Sequence, residues 1–172
     1  MLASLSAPVW ALPLDLFRVL VGLLGVGYFV RTLREIPDFG SPDGLIDHSL
    51  QHRLLPFTRM GLFPERAPVW LLRASYLMGC AASAMLALGV GSVVVAPLLY
   101  LLAVSAYRRG FLVVGIDDAI VHLALFWMVA LPVGHTLTLP DLLSRREDVG
   151  VVWDRWRSAS VSGLGVRCLL IN

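Results

Sequence analysis

Leu14 to Leu33 reads LDLFRVLVGLLGVGYFVRTL. Its 20 residues, at a helical rise of about 1.5 Å each, cover a hydrocarbon layer of roughly 30 Å, and its charges sit toward its ends, at Asp15, Arg18 and Arg31. Such a segment predicts a membrane-spanning helix and sets the fold class for the whole chain. The composition agrees: 58% hydrophobic residues, 15% charged residues and a mean hydropathy of +0.78 are too apolar for a soluble domain of 172 residues. Trp10 and Pro13 precede the segment, suiting an interfacial anchor and a helix start, while Arg31 and Arg34 mark its far end.

Working outward, Glu35 to Pro68 is a polar loop broken repeatedly by proline and glycine, which opposes one long helix. Within it GLIDHSLQHRLL (Gly44 to Leu55) has the pattern of a short amphipathic helix lying at the membrane surface. A second span is expected over Val69 to Val90 and a third over Gly91 to Tyr107, joined as a tight hairpin by the uncharged GVGS turn, Gly89 to Ser92. A fourth is expected over Ile116 to Val133, within GIDDAIVHLALFWMVALPVG, Gly115 to Gly134. VVWDRWR (Val151 to Arg157) alternates tryptophan with charge like an interfacial anchor, and VSGLGVRCLLIN ends the chain as the expected start of a fifth helix. The expected architecture is an all-α polytopic transmembrane bundle, a single domain of four spans plus the start of a fifth. The opening residues lack a basic region, so a removable signal peptide is not expected.

Charge is sparse and distributed. The net charge is +2, and all 14 basic residues are arginine with no concentrated patch, so nucleic acid is not an expected partner. The absence of lysine excludes a Schiff base or a lysine general base within these residues. If all four spans cross, Arg31, Arg34, Arg53, Arg59, Arg66, Arg108 and Arg109 lie on one side, which the positive-inside rule makes cytoplasmic. Cys80 and Cys168 lie far apart in apolar runs and read as small buried hydrophobes.

Polar groups in apolar helices are costly and need a reason to be there. Asp15 and Arg18 are three apart on one helical face and can neutralise one another; Arg18 is also a candidate for holding an anionic group. Arg73, one turn into the second span, either snorkels to the interface or meets a carboxylate, and is the other substrate-binding candidate. Asp118 and His122 are four apart and face the same way, the arrangement of a proton-handling pair; the competing reading is that Asp117 caps the helix while the other two satisfy one another. Both are the catalytic candidates. Ser75, Gly79, Ser83 and Ala87 form a small-residue stripe suited to close helix packing. His48 and His52 have the i, i+4 spacing of a metal pair, but a lone His-x-x-x-His in a polar loop reads as solvent-facing, and no metal is expected.

Three segments resemble the HTTM family, the membrane domain that includes vitamin K-dependent gamma-carboxylases. Leu16-Phe17-Arg18 with VLVGLLGVGYF resembles its first helix, FGSPDGLI (Phe39 to Ile46) its Asp-x-Gly-leucine loop, and YRRGFLVVGIDDAIVHLALFWMVALPVG (Tyr107 to Gly134) its signature. Thr138 to Asp141 approximates the serine-leucine-aspartate that follows there. The resemblance implies a membrane-embedded helical domain, short or incomplete at its C-terminal end, in a bacterial cytoplasmic membrane. It further implies reduced vitamin K or another quinone as cofactor, with carbon dioxide and oxygen, and glutamates of a peptide or protein as substrate. The family's base lysine lies on the next helix and has no counterpart here. The alternative is a non-catalytic helical subunit that assists maturation of, or immunity to, a membrane partner through the Ser75 to Ala87 stripe.

Overall fold

The computed structural model describes residues 8–41, 43–59, 61–64, 66–111, 115–131, 138 and 160–162. Three helices in it are long and apolar enough to cross a membrane. The first, α1 (Leu12–Glu35), starts with Pro13 in its opening turn, where the missing N–H is no loss, and carries Asp15 at the positive end of its dipole and Arg34 at the negative end. It runs on into a π-helical turn, Ile36–Gly40, closed by Ser41 N donating to Ile36 O at 2.7 Å. The loop holds a short helix, α2 (His48–Leu54), and a 3₁₀ turn, Pro56–Arg59. The second and third long helices, α3 (Val69–Ala87) and α4 (Ser92–Arg109), form the expected hairpin. Gly89 and Gly91 in the turn have φ of +74° and +60°, a left-handed backbone that glycine adopts without a Cβ penalty.

The expected fourth span is shorter than the other three. Helix α5 (Ile116–Ala130) has 15 residues, about 22 Å at 1.5 Å per residue, and Leu131 is already extended. Pro132 explains the stop, since it disfavours helical backbone at the residue before it. Two three-residue strands, β1 (Pro8–Trp10) and β2 (Ser160–Ser162), pair antiparallel with Val9 opposite Val161. Val161 and Ser162, expected to open a fifth helix, are therefore extended. The rest of that segment, Val151 to Arg157, and Leu139 to Asp141 lie outside the described residues.

Helix α1 is the centre of the bundle, packed most extensively on α3 and also on α5, while α4 bridges α3 and α5. Small residues decide the closest contact. A Cβ at Gly22 would lie 2.6 Å from Ala87 N, one at Gly25 would lie 2.7 Å from Ser83 Oγ, and one at Gly79 would lie 2.6 Å from Phe29 Cδ1. The α3 stripe thus faces α1, and its hydroxyls turn back to their own helix: Ser75 Oγ donates to Leu71 O and Ser83 Oγ to Gly79 O, both at 2.8 Å. Phe29, Leu72, Leu86, Leu99 and Leu125 complete a buried core, while Leu20, Leu23, Leu77, Val93 and Leu123 point outward, as lipid-facing positions should.

Candidate functional site

The chain brings polar side chains together at both ends of the bundle. At the end where α1 begins, Arg18 is fully buried; its Nε meets Asp15 Oδ1 at 3.2 Å and its Nη1 donates to Leu86 O and Ala87 O at 2.6 and 2.9 Å. A cation thus closes the C-terminal carbonyls of α3, where the helix dipole is negative. The expected Asp15–Arg18 pair forms, and the guanidinium, the first substrate-binding candidate, is engaged by the fold itself. Arg73, the second candidate, is exposed on α3 near its opposite end, so the two arginines do not converge on one ligand.

At the opposite end, α1 finishes, α5 begins and the loop docks. Asp118 is buried and its Oδ2 accepts from Gly115 N at 2.8 Å, satisfying a donor at the start of α5. The same oxygen lies 3.7 Å from Arg31 Nη2, and Arg31 Nε bonds Glu35 Oε1 at 2.9 Å. His122 does not meet the Asp118 carboxylate. Its Nδ1 lies 2.6 Å from the main-chain carbonyl of Asp118 one turn back, and a carbonyl only accepts, so Nδ1 carries the proton. Nε2 is left with a lone pair; it is buried and has no hydrogen-bond partner among the described residues. The ring packs on Tyr107 at a centroid distance of 4.7 Å and edge-on to Tyr28 at 6.0 Å. The side chain of Asp117 lies outside the described residues.

Two spaces adjoin this cluster. A cavity of about 50 Å³ is lined by Tyr28, Arg31, Glu35, Tyr107 and Asp118, room for water and no more. An open groove of about 420 Å³ runs along α1 and α5, lined by Leu20, Leu23, Leu24, Gly27, Tyr28, Arg31 and Val121. Tyr28 and Arg31 line both, so an apolar channel facing outward ends at a polar head. A Cβ at Gly27 would meet nothing within 4 Å, which keeps the groove open at that point.

The loop is tied to the end of α4. Arg109 is buried, with Nε donating to Gly40 O at 2.8 Å and Nη1 to Pro64 O at 2.9 Å; Gln51 Nε2 donates to Arg108 O at 2.8 Å, and Leu62 N to Ser105 Oγ at 3.2 Å. His48 and His52, expected to face solvent, are both buried instead. The cause is tertiary: α2 turns its polar face inward onto Arg108 and Arg109. The His48 imidazole lies against the main chain of Gly40 and Ser41, and burial, then the positive charge of Arg109, push its pKa below the ordinary value. Asp47 caps α2, accepting from Ser49 and Leu50 N–H, and its bond from the Ser49 hydroxyl leads the causes that hold its carboxyl below the usual range. Among the described residues no group of three or more His, Cys, Asp or Glu side chains is placed to hold a metal.

Tyr28, Arg31, Glu35 and Arg109 are the residues that sequence reasoning missed as site members. Arg31 and Arg109 looked like span-end markers, and nothing local distinguishes an arginine that snorkels from one that meets a carboxylate on another helix. The chain matches no protein-family model, no curated protein and no solved structure.

Proposed function

We propose that this protein is a multi-pass domain of a bacterial cytoplasmic membrane that takes a lipid-soluble, quinone-type molecule into the groove between α1 and α5, in line with its resemblance to the HTTM family. The observation that carries this reading is the groove itself: aliphatic lining from Leu20 to Val121 ends at Tyr28 and Arg31, beside Asp118. The residues fit such a molecule. Leucines and the open Gly27 position accept an aliphatic tail, while Arg31, two-fifths exposed, offers N–H donors to a ring oxygen beside the Tyr28 ring. When bound, a reduced quinone would supply the reducing equivalents that the protein side chains lack.

The chain's own residues then have distinct tasks. Asp118 fixes the start of α5 and keeps Arg31 at the groove's end. His122, with its proton held on Nδ1, presents a basic Nε2 behind the Tyr28 ring and serves as proton acceptor. Arg18 keeps the bundle closed at the far end, and Arg73 is available at the surface for an anionic group on a peptide or protein substrate. Carboxylation of glutamate is the activity the resemblance implies. A non-catalytic subunit would need another docking face than the α3 stripe, which α1 already covers.

The test uses the purified full chain in lipid nanodiscs. Binding of a naphthoquinone bearing an isoprenoid tail should saturate, weaken in Gly27→Leu and Arg31→Gln, and persist in Arg73→Gln. Label from carbon dioxide should enter a glutamate peptide only with the reduced quinone and oxygen present, and less in His122→Phe. Equal binding by wild type and Gly27→Leu would remove the groove from the reading; saturable binding without label transfer would confine the protein to binding.

A further inference from the structure

Helix α2 is amphipathic in the inverted sense. Its inward side carries His48, Gln51 and His52, exposed 5%, 1% and 7%, while Leu50 and Leu54 on its outward side are exposed 52% and 69%. In water this arrangement leaves two leucines largely solvated, with their hydrophobic burial forgone. Seven residues are also too few to hold a helix by themselves, so α2 depends on what it touches on both sides. On the inner side this contact is the bond from Gln51 to Arg108 O, while the Asp47 cap acts locally on the exposed first turn.

The level of the helix identifies the outer contact. Gln51 ties α2 to the last turn of α4, and Arg109 in that turn meets the turn after α1 at Gly40, so α2 lies at the end of the bundle where α3 opens with Trp70, 69% exposed. Exposed tryptophan at the end of a span marks the headgroup layer. Arg53, also exposed, follows Leu50 by three residues, which sets a guanidinium at the border of the leucine side. That is the composition of a face lying in the plane of a bilayer, with aliphatic side chains at the acyl boundary and arginine at phosphate depth. A protein partner is the poorer occupant, because two leucines on a seven-residue helix offer far less than the roughly 1,000 Å² that a specific protein interface buries.

We infer that the outward face of α2 is seated in the headgroup layer of the host bilayer, with Leu50 and Leu54 reaching the acyl boundary and Arg53 on lipid phosphate. This inference does not depend on the quinone reading. It makes the loop a membrane-anchored strap, held to lipid by its leucines and to the bundle by Arg109 and Gln51.

Nitroxide labels test it, placed singly at Ser49, Leu50 and Leu54 of the full chain in which Cys80 and Cys168 are serine. The protein is held in nanodiscs of phosphatidylcholine with a minority of phosphatidylglycerol. Collisional relaxation by oxygen, which concentrates in lipid, is compared with that by a water-soluble nickel chelate. The oxygen-to-nickel ratio should be several-fold higher at Leu50 and Leu54 than at Ser49, which is exposed on the same turn about 100° around the helix from Leu50. Nickel-dominated relaxation at all three sites, as a loop in water or an unfolded loop would give, overturns the inference. So does protection of Leu50 and Leu54 from both reagents, which would mean that protein covers them.

Discussion

The guanidinium of Arg18 closes the last turn of α3 through the carbonyl oxygen of Leu86, 2.6 Å from Nη1, across 68 residues of sequence. Because both Arg18 and Asp15 are buried, removing one partner leaves the other's charge uncompensated. Arg18→Met should therefore cost about 3–5 kcal/mol of stability, and Asp15→Asn less, since the carbonyl bonds of Arg18 survive. Unfolding by denaturing detergent, followed by circular dichroism, measures both. Arg73→Gln, at an exposed position, should stay within about 0.5 kcal/mol of wild type.

Two glycines on α1 should respond oppositely to added bulk. A Cβ at Gly22 strikes the backbone of Ala87 at 2.6 Å, and backbone cannot turn aside as a flexible side chain can. Gly22→Val should therefore separate α1 from α3 and sharply lower the yield of folded protein in the membrane. Gly27 faces open space, so Gly27→Ala should stabilise by about 0.4–1 kcal/mol through the unfolded chain's lost freedom. Matching losses at the two positions would contradict this packing.

Asp118 should matter through its cap more than through its ion pair. The bond from Gly115 N to a buried carboxylate is charge-assisted, and Asp118→Ala should cost about 1.5–3 kcal/mol. Arg31 is two-fifths exposed and 3.7 Å from that oxygen, so Arg31→Gln should cost under about 1 kcal/mol. Thermal unfolding of the two variants in one detergent separates the contributions.

Docking of α2 should weaken in acid. His48 has its pKa lowered from 6.5, first by burial and then by Arg109, with His52 adding to the shift. Between the lowered value and 6.5 the detached loop binds a proton that the docked loop does not, so stability rises with pH there. Docking is thus complete above 6.5 and declines as pH falls through that value toward the lowered one. Amide exchange over His48–Leu54, corrected for intrinsic rates, should quicken on acidification in wild type and not in His48→Gln. An unchanged acid response in His48→Gln would place the titrating group elsewhere.

The start of α1 and the hairpin were legible in the sequence because each is set by a local signal: Pro13 opening α1 and the glycines after Ala87 turning the hairpin. The end of α5 was not. Apolar character continues from Ile116 to Val133, but Pro132 falls inside that run and moves the residue before it out of the helical region, so the helix stops at Ala130. The small-residue stripe on α3 was visible too, but not its counterpart, Gly22 and Gly25, because choosing which glycines of α1 are approached needs the rotation of one helix against another.

The sequence by itself determined that the chain is helical and membrane-compatible, because apolar length and breaker position act residue by residue. It also placed Asp15 with Arg18 and Asp118 with His122 on common helical faces, because three- and four-residue spacing does so in any helix. Only the tertiary structure decided what those groups do. The Asp118 carboxylate went to Gly115 N and Arg31, and His122 went to a main-chain carbonyl, because α1 supplied a cation on one side and tyrosines from α1 and α4 filled the other. His48 and Gln51 turned inward for the same reason: Arg109 and the end of α4 gather the loop's polar groups, and no local pattern in the loop records the position of a helix end nearly sixty residues away.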